Sequence, residues 1–141
     1  MSLGIEHAYR NTTYVVDHPD GAFGIRLGDP CPRLDALLAA HGVKGWAYVT
    51  AWNPRSEPVP AAVNTARQAE LLARVTRAGY PVFSGRGQPV SGDWAPEESL
   101  LIIGIDEAAA LALGVQFGQH AIVVGEAGGC AALRWCGHKP A

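Results

Sequence analysis

The chain has few cysteines, little net charge and no long apolar run, and each shortage closes off a class of protein. Its three cysteines, Cys31, Cys130 and Cys136, are an odd and scattered set, which suits a reducing cytosol better than a disulfide scaffold. Cys130 and Cys136 with His138 fit no zinc-ligand spacing and have no evident fourth partner, so no metal is expected. A net charge of −2 supplies no electrostatic footprint for nucleic acid or an anionic membrane. No apolar stretch reaches the roughly 18 residues of a spanning helix. The first residues lack the basic start and apolar block of a secretion signal, so a cytoplasmic protein is expected. Neither Gly-x-Ser-x-Gly nor His-Glu-x-x-His occurs, and Gly85-Arg86-Gly87 lacks the third glycine and following helix of a dinucleotide site. No motif names a cofactor.

What is present reads as one folded domain over 1–141, with loose termini at 1–8 and 137–141; a 48% hydrophobic fraction is enough to bury one core. Asn11 to Val16 is β-branched and aromatic, a strand, and Ala22 to Leu27 pairs back on it after His18-Pro-Asp-Gly21. Asp29-Pro30 reads as the cap and first residue of a helix that Gly42 ends. Residues 45–51 form a strand, and Ala61 to Ala78 a long helix with Val63, Leu71, Leu72 and Val75 as its apolar positions. Tyr80 to Phe83 is a strand, followed by an irregular loop that holds Gly85-Arg86-Gly87 and runs to Pro96. Leu100 to Ile105 is apolar on both alternating faces, the mark of a central strand. Asp106 caps a third helix, Ala121 to Val124 is a strand, and Cys130 to Trp135 is a last edge strand after Gly128-Gly129. The fold class is α+β: a mixed sheet of about six to seven strands with three helices, in the order ββαβ-α-ββαββ.

Strand direction then gathers polar residues. A strand, a helix and a strand with short joints leave the two strands pointing the same way. One border of the sheet therefore collects the end of strand 45–51, the start of the long helix, and the starts of strands 98–105 and 120–126. Thr50, Asn53, Asn64, Arg86, Trp94, Glu97, Glu98, Ser99 and Gln119 fall there. Taken singly, each has an ordinary structural explanation as a turn former, a cap or a solvated loop residue. As a group they predict a polar pocket.

Four short segments, Thr50-Ala-Trp-Asn-Pro54, Asn64, Glu97-Glu98-Ser99 and Phe117-Gly-Gln119-x-Ala121, give the chain a resemblance to domain-of-unknown-function family 3293, over roughly 47–126. The resemblance implies a bacterial, cytoplasmic protein and carries no catalytic assignment.

Three functions fit. The first is a module for a small polar or anionic molecule, with Thr50, Asn53, Asn64, Arg86, Trp94, Glu98, Ser99 and Gln119 around it. The second is an enzyme with Glu98 or Glu97 as acid or base; adjacent carboxylates on a strand point to opposite faces, so they cannot cooperate as a pair. The third is an interaction module or homodimer, using a sheet edge near Trp135 or Tyr14.

Overall fold

The computed structural model describes residues 2–90 and 95–137. Seven strands form a single curled sheet in the order β2-β1-β4-β5-β3-β6-β7. They are β1 (Thr12–Val16), β2 (Phe23–Ile25), β3 (Gly45–Val49), β4 (Val82–Pro89), β5 (Glu97–Ile103), β6 (Ala121–Glu126) and β7 (Ala132–Trp135). Four helices accompany them: α1 (Ser2–Arg10), α2 (Pro32–His41), α3 (Ala61–Arg77) and α4 (Glu107–Gln116).

The expected directions hold, but the sheet is not mixed. Both β3 and β4 run opposite to β5, and both β5 and β6 run opposite to β3. Like-directed strands are thus separated by an opposed one, and every pairing between named strands is antiparallel. The β4–β5 hairpin inserts between β1 and β3, placing Leu100 to Ile103 in the middle of the sheet with both faces covered.

Each face carries its own core. On one, α2 buries Leu34, Leu37 and Leu38 against Tyr14, Val16, Trp46, Tyr48, Leu101 and Ile103. On the other, α3 and α4 bury Leu71, Val75, Ala110 and Phe117 against Ala47, Val49, Leu100, Ile102, Ile122 and Val124. Alternation along β3, β5 and β6 sends successive side chains to the two cores, which is why 46–49, 100–103 and 121–124 are apolar throughout.

Several expectations are corrected. A helix not expected from the sequence, α1 (Ser2–Arg10), opens the described residues, and its Tyr9 packs edge-on against Trp135 of β7 at 6.1 Å between ring centroids. Asp29-Pro30 does not open α2. Cys31 is the cap residue and Pro32 the first turn, while Asp29 and Pro30 bridge to the start of β7, with Ala131 N–H donating to Asp29 O at 3.2 Å. The competing Asp-Pro signal belongs to the closure of the curl, where the segment after β2 meets the opposite end of the sheet. Tyr14 is accordingly no edge residue; β1 is flanked on both sides and Tyr14 is buried. On α3 the buried stripe is Asn64, Gln68, Leu71 and Val75, whereas Val63 and Leu72 are exposed.

Nor is Gly85-Arg86-Gly87 a loop. It lies within β4, paired on one side with β1 and on the other with Ser99, Glu98 and Glu97 of β5. Alternation turns both glycines to the α2 face and Arg86 to the other. At Gly85 the missing side chain is required: a Cβ there would collide with the Val15 carbonyl and stand 2.8 Å from the Tyr48 hydroxyl. At Gly87 it would make only ordinary contact, 3.6 Å from Thr12 Cγ2. Gly85→Ala should therefore lose about 1–3 kcal/mol or more by overpacking, and Gly87→Ala well under half of that, in chemical denaturation of the two variants side by side.

Candidate functional site

The border predicted from strand direction is built around the turn that follows β3. Three non-glycine residues there adopt left-handed backbone conformations: Asn53 (φ 42°), Arg55 (φ 57°) and Ser56 (φ 59°). Such conformations cost free energy and persist only where surrounding contacts enforce them. Here the contacts are explicit. Asn53 N–H donates to Asn64 Oδ1 at 2.7 Å, and Asn64 Nδ2 donates back to Asn53 Oδ1 at 2.8 Å. Val59 N–H also reaches Asn53 Oδ1, at 3.2 Å, and Arg55 N–H donates to Gly118 O at 2.7 Å.

Helix α3 supplies the rest of the clamp. Gln68, buried, accepts from Ala51 N–H at 3.0 Å. Arg67 lies over the Phe117 ring and donates to Ala51 O at 3.3 Å and Phe117 O at 2.6 Å. Sequence reasoning missed both residues, although their spacing from Asn64, one turn earlier on the same face, was a usable signal. Gln119 Nε2 ties the end of α4 to the same turn, donating to Trp52 O at 3.2 Å and Phe117 O at 3.3 Å.

Of the two carboxylates, Glu97 belongs to this cluster: Asn53 Nδ2 donates to Glu97 Oε2 at 3.3 Å. Glu98 contributes its carbonyl, which accepts from the Thr50 hydroxyl, while its side chain is exposed on the other face. Ser99 is buried, its hydroxyl donating to Glu97 O at 3.0 Å. Arg86 is removed from the group. It is exposed on the outer face and ion-paired with Asp17 at 3.2 Å, so the anion-binding role expected of it has no support here. Trp94 and His138 lie outside the described residues. Among the described residues, no set of three or more His, Cys, Asp or Glu is placed to hold a metal ion, and no helix is long and apolar enough to cross a membrane.

Beside the cluster is a pocket of about 500 Å³. One wall is α1, with Ile5, Ala8 and Tyr9; the other is the sheet, with Tyr14, Tyr48, Gly87 and Ser99; Thr50, Asn53, Glu97 and Gln119 also line it. Gly87 contributes to the hollow, since no side chain projects from it into the pocket. Asn64 stands behind the lining as a support for Asn53.

The family model described as "Protein of unknown function (DUF3293)" matches residues 49–122, just over half of the chain. The chain belongs to the DUF3293 family. No curated protein and no solved structure matches it. The DUF3293 segment holds the whole Asn53–Asn64–Glu97–Gln119 cluster, while the facing wall, α1 and β1, precedes it.

Tyr14 and Tyr48 pack edge to face at 5.3 Å, and their hydroxyls donate to Tyr9 O and Val15 O, each at 2.7 Å. Burial raises the pKa of both rings well above the ordinary tyrosine value. The unfolded chain ionises these groups near pH 10 while the folded chain keeps them protonated, so the unfolded state binds fewer protons above that point. Their contribution is thus complete below about pH 10 and declines as pH rises further, by up to about 1.4 kcal/mol per pH unit for each ring. Urea denaturation across the alkaline range should show this slope, and Tyr48→Phe should flatten it.

Proposed function

We propose that the protein binds a small organic molecule in the pocket between α1 and the sheet, with an apolar body against the helix and a polar end at the Asn53–Glu97–Gln119 cluster. One observation carries the reading: a turn held in an uncommon backbone conformation by the Asn53 and Asn64 amides opens onto the pocket that Gly87 lines. Backbone conformations of this kind concentrate at ligand sites. A pocket with apolar walls and a few convergent polar groups is the usual form of a small-molecule site. The three cysteines are free thiols, which suits the reducing bacterial cytoplasm that the family resemblance implies.

Acid–base catalysis is the second reading, and Glu97 is the residue that favours it, since it faces the pocket and Glu98 does not. Ser99, whose hydroxyl donates to a backbone carbonyl, is no activated nucleophile. For a self-association role Tyr14 is internal, whereas β7, which ends at Trp135, is an outer strand of the sheet.

The test is a blocked pocket. Gly87→Leu projects a side chain into the hollow from a position where a Cβ fits, and Arg86→Ala alters the outer face. A ligand found by thermal-shift screening of a metabolite library should lose at least about tenfold in affinity to Gly87→Leu, the factor that 1.4 kcal/mol represents, and nothing to Arg86→Ala. Equal loss in both variants, or in neither, contradicts the site.

A further inference from the structure

The direction of the hydrogen bonds in the pocket wall narrows the ligand, given that the pocket is a binding site as proposed. Seven hydroxyl side chains line the pocket, and five of them donate to a backbone carbonyl: Thr12 to Ala8 O, Tyr14 to Tyr9 O, Tyr48 to Val15 O, Ser99 to Glu97 O and Thr50 to Glu98 O. A hydroxyl has a single proton and two lone pairs. With those five protons committed inside the protein, what these groups offer a ligand is acceptor capacity, whereas the Tyr9 hydroxyl, which accepts from the Ala121 backbone, keeps its proton. Gln119 repeats the pattern, its Nε2 within reach of two carbonyls and its Oε1 accepting no bond from the described residues. The amide nitrogen of Asn53 donates to Glu97, whose carboxylate is an acceptor only when ionised.

Charge points the same way. No Arg or Lys is among the described residues that line the pocket, Glu97 is its acidic side chain, and His7, able to carry positive charge, is exposed on α1. A carboxylate or phosphate entering here would meet lone pairs and a like charge, an arrangement that rejects it. A cation would meet acceptors and the edge-to-face Tyr14 and Tyr48 rings, and ring faces attract cations.

From this acceptor-lined wall we infer that the pocket takes a cationic, hydrogen-bond-donating ligand: an organic amine or amidine, its charged head toward Glu97 and its apolar part toward α1. The reading differs from the anionic ligand that Arg86 suggested in the sequence, and the difference follows from which face of β4 that side chain occupies.

Three probes of similar shape and different charge test it: 2-phenylethylammonium, 2-phenylethanol and 3-phenylpropanoate, each titrated by calorimetry or ligand-observed NMR. The ammonium should bind at least about tenfold more tightly than the carboxylate, with the alcohol between them. Glu97→Gln, which keeps the bond from Asn53, should bring ammonium and alcohol to similar affinity. Equal or tighter binding of the carboxylate to the wild-type protein overturns the ligand class; if Gly87→Leu then abolishes that binding, the pocket itself stands. An unchanged ammonium preference in Glu97→Gln overturns the role of Glu97. Failure of all three probes to bind overturns both the ligand class and the pocket.

Discussion

The reciprocal pair of hydrogen bonds between Asn53 and Asn64 is the constraint around which this border of the molecule is organised. Asn64 lies on the buried stripe of α3, where an amide without partners would cost free energy comparable to that of a lost hydrogen bond or more. It finds both partners in one residue, the backbone N–H and the side-chain oxygen of Asn53. That arrangement holds Asn53 in a left-handed conformation, for which asparagine is better suited than most residues. In turn it aims the Asn53 amide nitrogen at Glu97. Gln68 and Arg67 extend the same logic along the helix, each bonding to the main chain at Ala51. The polar stripe of α3 is therefore what turns the end of β3 into a shaped site.

The hollow next to it has a separate cause. Curling brings the segment after β2 to the start of β7 and leaves a concave face, part of which α2 fills with leucines. Beside it β4 places Gly87 on that face, and α1 with Tyr9 forms the facing wall of the pocket. Cavities in well-packed proteins are few, because lost contacts on either side go uncompensated.

Much of this was legible in the sequence, for physical reasons. Chain direction is set by element order, so the convergence of Thr50, Asn53, Glu97, Ser99 and Gln119 could be worked out without knowing which strands are neighbours. The central position of β5 followed from its two apolar faces. Other features were hidden by competing signals. Glycines read as loop formers, yet in β4 they serve by their lack of a side chain, a role visible only once Val15 and Tyr48 lie across them. Helix α1 is short and carries Gly4, too little to be stable alone, and it depends on docking Tyr9 against Trp135. Gln68 carried no signal, because a buried stripe is ordinarily apolar. The sheet was expected to be mixed because crossover helices suggest adjacent parallel strands; inserting β5 and β3 between the like-directed pairs left the directions intact and removed the parallel contacts.

The most direct measurement of the central claim is a double-mutant cycle on Asn53→Gly and Asn64→Ala, read by chemical denaturation. Glycine at 53 retains the backbone conformation and the N–H that donates to Asn64 Oδ1, so the cycle isolates the side-chain bond between the two amides. The account predicts that the two losses are not additive, with a coupling of about 1 kcal/mol or more. Additivity within about 0.5 kcal/mol would show the pair to be incidental and would remove the basis for the site.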